Sequence, residues 1–230
     1  MGGCDSCSSK GGCDGRKETE RDLLAELMPR LYPTGRWGEP DDSARLDGGL
    51  GSHEGKRLAR QAAEVLQART YFRPGGDDEN CDYVYVLCVG REPGLYELAD
   101  RDAMWVPDGD SISERYLRVA LSSMAKVAAL QEVVFELQRQ GDTYVIEEKP
   151  RNGVFDPILL KRTQKIVDLI VGAGVTYLDF GLIELPPDGF EAGDYPYGQT
   201  PGIVNYLFYP QPATTASTRF VSCSEGASLS

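Results

Sequence analysis

The chain has 230 residues, with 24 basic and 36 acidic side chains and a formal net charge of −12. A surface that acidic repels phosphate backbones and anionic lipid, so nucleic acid is excluded as an expected partner. Hydrophobic residues make up 41%, enough for one buried core without disulfide staples.

Residues 2–15, GGCDSCSSKGGCDG, place Cys4, Cys7 and Cys13 among glycine, serine and aspartate. With no apolar period, residues 1–17 read as a disordered, cysteine-rich arm. Met1-Gly2-Gly3-Cys4-Asp5-Ser6 also matches the acylation pattern M-G-x-x-x-[ST], with Cys4 as a second acyl site. Membrane contact is expected only if the N-terminus is acylated, since stable anchoring takes two chains. No stretch approaches the roughly 20 consecutive apolar residues of a span, and no apolar leader is present. The expected location is cytoplasmic, where thiols are buried side chains, metal ligands or redox groups rather than disulfides.

From Thr19 the pattern changes. Leu23, Leu24, Leu27 and Met28 make a helical seam, with Thr19 as its cap and Pro29 as its stop. Residues 32–55, rich in Pro, Gly and Asp, read as a long irregular connection on which Trp37, Leu46 and Leu50 pack down. A second helix is expected over about residues 54–69, with Leu58, Ala62, Val65 and Leu66 on one face. YVYVLCV, residues 83–89, reads as a strand covered on both sides, and residues 95–98 as a short return strand.

Ser111 and Glu114 form a capping-box signature, and the apolar pattern of residues 113–140 predicts a long helix stopped by Gly141. A strand follows at residues 143–148. Asp156-Pro157 opens a helix whose stripe runs from Leu159 to Val171 and closes at Gly172. Residues 175–185, 202–210 and 218–224 read as three more strands. The predicted fold is therefore α/β or α+β, a single domain over residues 18–224 with a loose tail at 225–230. Its mixed sheet would have a parallel βαβαβ centre and antiparallel C-terminal strands.

The chemistry-bearing signal is the C-x2-C-x5-C spacing of Cys4, Cys7 and Cys13. The C-x2-C pair lets two thiolates reach one metal from one turn, and the glycines let the backbone curl around it. Lys10, Arg16 and Lys17 would lower the thiol pKa values. Three thiols leave a fourth position open. Cys81, at the mouth of the first strand and expected to be partly exposed, is the first choice to fill it. Cys88, Cys223, an aspartate or another chain are the alternatives.

The other candidates are weaker. Cys88 reads as a buried small hydrophobe. His53 is the single histidine, which argues against histidine-rich zinc sites and against a serine–histidine triad. Asp77, Asp78, Glu79 and Asp82 form an acidic cluster without calcium-loop spacing. Asp179 and Glu184, an odd number of residues apart on one expected strand, would face opposite sides of it. Tyr195, Tyr197, Tyr206, Phe208 and Tyr209 offer either an aromatic interface or alternating core residues.

The leading expectation is a cytosolic accessory protein holding zinc or an iron–sulfur cluster at Cys4, Cys7, Cys13 and Cys81 and docking a protein partner. The alternative is a non-catalytic interaction or scaffold protein working through the tyrosine-rich C-terminal surface, with the arm as a tether. An enzyme with a pocket in the 32–55 loop ranks last, because no base, nucleophile or cofactor can be named for it.

Overall fold

In the structure, a computed structural model, the described residues are 10–41, 43, 49–76, 80–87, 92–97, 111–151, 157–192, 195, 201–208 and 217–222. The strands are β1 (Arg69–Arg73), β2 (Cys81–Leu87), β3 (Gly94–Glu97), β4 (Ser111–Ser122), β5 (Val127–Gln140), β6 (Thr143–Arg151), β7 (Thr176–Leu178) and β8 (Ser217–Ser222). They join in one mixed sheet of order β3-β1-β2-β4-β5-β6-β8, with β7 added beside β5. The helices are α1 (Lys10–Leu31), α2 (Ser52–Leu66), α3 (Pro157–Gly172), α4 (Phe180–Ile183) and α5 (Ile203–Leu207). This is an α+β fold with a mixed sheet, as the sequence predicts. Among the described residues no helix is long and apolar enough to cross a membrane.

The arrangement inside the sheet differs from expectation. Residues 113–140 are not a helix but the two longest strands, β4 and β5, paired antiparallel from Ser111 with Gln138 to Leu121 with Ala128. The centre is antiparallel throughout β2, β4, β5 and β6, and parallel pairing is confined to β1 with β3 and β5 with β7. The expected parallel centre therefore does not form. The cause is burial on both faces. Tyr116 and Ala120 face one layer of helices, while Leu117, Val119 and Leu121 face the other. Such a strand reads as a continuous apolar run that periodicity alone does not separate from a buried helix.

On the first face α1, α4 and α5 cover Tyr71, Tyr83, Tyr85, Tyr116, Met124 and Phe135. On the second, α2 and α3 cover Phe72, Val84, Val86, Leu117, Val119 and Leu130. Of the expected α1 seam, Leu24 and Met28 are buried and Leu23 and Leu27 pack partly buried against the core, with Leu31 extending it. The helix begins earlier than Thr19 and runs past Pro29. The ring of Pro29 lies on the exposed side, and helical bonding continues behind it through the amide of Tyr32 on the Met28 carbonyl (2.9 Å). Proline removes only its own donor so close to the end of a helix.

Two further strands give way to helices. In the run 175–185 only Thr176–Leu178 is strand, because Asp179 caps α4 by accepting from the Gly181 amide (2.9 Å). Residues 203–207 form α5 instead of a strand, with all five side chains buried. Gly202 precedes α5 and lies so close to the Glu184 carbonyl oxygen that a Cβ would overlap it. We expect Gly202→Ala to destabilise the fold by about 1–3 kcal/mol, read as a lower urea midpoint. An unchanged midpoint would show that this approach is not tight.

Candidate functional site

Of the four predicted thiolates, Cys4 and Cys7 lie outside the described residues, and Cys13 lies in the first turn of α1. Cys81 opens β2 opposite Ser122 and is 1% exposed, so the expected partly exposed thiol is in fact sealed in the core. Its partner there is the Tyr83 hydroxyl, two residues along the same face. Burial comes from the turn after β4. Ser122 Oγ donates to the Leu207 carbonyl (2.7 Å) and accepts from the Met124 amide (3.1 Å), drawing α5 over this end of β2. Among the described residues no group of three or more His, Cys, Asp or Glu side chains is placed to hold a metal. Cys88 and Cys223 lie outside the described residues.

The remaining candidates resolve into structural roles. Asp82, with Asp77, Asp78 and Glu79 outside the described residues, is buried at the start of α2. Its Oδ1 accepts from the Gly75 amide (2.7 Å) and from Ser52 Oγ (3.2 Å). A Cβ at Gly55 would come within 2.8 Å of its Oδ2, so glycine lets the helix close over the carboxylate. His53 is exposed on α2. Asp179 and Glu184 sit at the two ends of α4 instead of on opposite faces of a strand.

The tyrosine-rich stretch turns inward where it is described. Tyr195, Tyr206 and Phe208 are buried. Tyr206 packs edge-on against Tyr32 (4.9 Å between centroids) and Phe190 (5.5 Å), and its carbonyl accepts from the Tyr32 hydroxyl (2.7 Å). Asn205 Nδ2 donates to the Tyr195 hydroxyl (2.8 Å). These three rings make core, not surface; Tyr197 and Tyr209 lie outside the described residues.

What sequence reasoning missed is a polar and aromatic row across the first face of the sheet. Register places Tyr96, Tyr71, Tyr85, Arg118 and Gln131 side by side on β3, β1, β2, β4 and β5. Arg118, 2% exposed, donates to Gln131 Oε1 from Nε (3.0 Å) and Nη2 (2.6 Å). One turn of the pleat away, the Tyr116 hydroxyl donates to the buried Glu148 Oε1 (3.1 Å). The signal was present in the alternation of RTYFR and of YVYV, which puts Arg69, Tyr71, Arg73, Tyr83 and Tyr85 on one side.

Two open clefts lie along α1 from Arg21 onward. One of about 780 Å³ lies between its last turn, Asp41 and Ser43, and residues 124–126. The Asp41 carboxylate accepts from the Ser43 amide (2.9 Å) and hydroxyl (2.6 Å), a local turn at the rim of this cleft. The other, about 550 Å³, is mostly apolar and lies between α1 and residues 182–190.

Together the fold and these sites define an α+β protein whose mixed sheet is covered on both faces at its centre and whose described core holds many tyrosines and one buried arginine, Arg118. No family model matches the chain, and neither a curated protein nor a solved structure matches it.

Two expectations follow from the buried row. Gln131→Leu removes a doubly engaged acceptor of the buried Arg118 guanidinium and should cost roughly 2–4 kcal/mol, measured by urea unfolding; a cost under about 0.5 kcal/mol would mean the pair contributes nothing. Burial pushes the Tyr206 hydroxyl up to about 12, and burial, then the neighbouring Cys81, holds Tyr83 well above its ordinary value. The unfolded tyrosines ionise near pH 10. Stability should therefore be level below about pH 10 and fall as pH rises towards 12, because the unfolded state loses its protons first. Tyr206→Phe should flatten part of that decline in an alkaline unfolding series.

Proposed function

We propose that the chain is a thiolate metal- or iron–sulfur-binding accessory protein, acting in electron transfer or metalloenzyme assembly, with Cys4, Cys7 and Cys13 as ligands. The observation that carries this reading is the junction of the cysteine run with α1, which begins at Lys10 and places Cys13 in its first turn. Unpaired amides and the positive end of the helix dipole favour thiolate over thiol at such a position. Lys10 and Arg16 add positive charge in the sequence around it.

The body supplies the anchor. Leu24, Met28 and Leu31 bury one side of α1, and the carboxylate of Glu20 accepts from the Asp179 amide (3.2 Å) at the start of α4. A site at the head of α1 is thereby carried by the folded domain, which would present it to a protein partner. Cys81 is left out of the ligand set, since its thiol is enclosed by the core. An aspartate or a second chain would complete four-coordination.

The test is metal content after purification without oxygen. Wild type should carry stoichiometric zinc or iron, a Cys4→Ser/Cys7→Ser/Cys13→Ser variant should lose nearly all of it, and Cys81→Ala should keep it. Unchanged metal in the triple variant would sink the proposal.

A further inference from the structure

Arg69 lies on β1 with its guanidinium 4.6 Å from the centroid of the Tyr96 ring. Nη1 donates to the Tyr71 hydroxyl and Nη2 to the Tyr96 hydroxyl, both at 3.4 Å, longer than strong hydrogen bonds. Nε is shielded from solvent and has no acceptor among the described residues. Among those residues the groups that act on this side chain are the two tyrosines, and no carboxylate is among them. In a chain with twelve more acids than bases, a half-buried arginine held by phenols and not by an acid is an unsaturated donor fork. Five N–H donors in a fixed plane match a carboxylate or phosphate.

Arg69 stands opposite Gly94 in the β1–β3 register, so the residue directly across on β3 contributes no side chain of its own. Gly94 has φ +156°, and a Cβ there would meet the Tyr96 ring at 3.3 Å. Glycine thus lets Tyr96 fold back over Arg69. Tyr96 is 37% exposed, so its hydroxyl reaches solvent beside the guanidinium. The acid nearest in sequence to this ring, Glu97, is engaged by Lys56 of α2. Arg73 follows Arg69 on the same face of β1, 5.8 Å from the Tyr83 ring centroid.

We propose that Arg69, Tyr71 and Tyr96 form a binding notch for a carboxylate at the β1–β3 edge. The guanidinium fork receives the two oxygens, and the tyrosine hydroxyls position the fork and, at Tyr96, donate a further hydrogen bond. One positive charge suits a monoanion. A dianionic phosphate would meet stronger repulsion from the acidic surface. This notch is separate from the thiol run and stands whether or not that run binds metal.

The test follows the backbone amide resonances of Gly94 and Tyr96 while the full chain is titrated with sodium acetate, with sodium chloride at equal ionic strength as control. Acetate should shift them saturably, with half-saturation on the order of millimolar, and chloride should not. Arg69→Lys keeps the charge but loses the fork, and should abolish the shift. Tyr96→Phe should weaken binding about tenfold. A shift that does not saturate, that chloride reproduces, or that survives in Arg69→Lys overturns the proposal, as does inorganic phosphate binding more tightly than acetate. An acetylated dialanine with a free C-terminus then identifies the source. Tighter binding than acetate supports a chain terminus as ligand, and equal binding supports a small carboxylic acid.

Discussion

The antiparallel pairing of β4 with β5 is the constraint on which the rest of the molecule depends. These strands lie at the middle of the sheet, and their side chains supply both faces. Every helix packs against what they present, α2 and α3 on one side and α1, α4 and α5 on the other. The tight turn at their end also fixes neighbours. Ser122 holds Leu207 and receives the Leu50 amide on its carbonyl, while the Ser123 amide bonds the Asn80 carbonyl ahead of β2. A single turn thus ties the connection before α2, the entry to β2 and the end of α5.

A sheet buried on both faces has little room for charge, yet this one contains Arg118, Glu132 and Glu148. Each is accommodated by a neighbour in register or near it: Gln131 for Arg118, Arg115 at 3.5 Å for Glu132, and Tyr116 for Glu148. Removing one partner of such a pair costs the other a contact in a low-dielectric interior, where it is expensive to lose. The same row ends at the sheet edge in Tyr96 and its neighbour Arg69, where burial gives way to solvent. What is structural in the middle of the sheet becomes available for recognition at its rim.

Amphipathic elements were legible in the sequence, because their patterns carry a period. The seam of α1, most of the faces of α2 and α3, and the strands β2, β6 and β8 stand where composition and caps put them, but Val65, Leu160 and Val171, which the period assigns to those faces, are exposed. Elements buried all round were not legible. Residues 113–140 and 203–207 have apolar side chains at every spacing, so a helix reading of the first and a strand reading of the second were equally compatible with the pattern. Burial of both faces, a tertiary fact, decided them. The capping-box signature at Ser111 and Glu114 was a true pattern without a helix to cap. Of the proposed thiolate site, the spacing of Cys4, Cys7 and Cys13 is legible, but the depth of Cys81 is not. Its placement depends on α5 folding over β2, and the pattern of α5 reads as a strand. Arg69 escaped notice because a single arginine in RTYFR acquires meaning only from Tyr96 and Gly94 on another strand.

The thiolate reading makes the head of α1 a metal centre carried by a folded body, and the metal's own neighbours decide it. X-ray absorption at the metal edge of the whole chain, purified without oxygen, measures them directly. The account predicts a dominant sulfur shell at about 2.3 Å from zinc or iron. Protein free of metal, or metal surrounded only by oxygen and nitrogen, would contradict it.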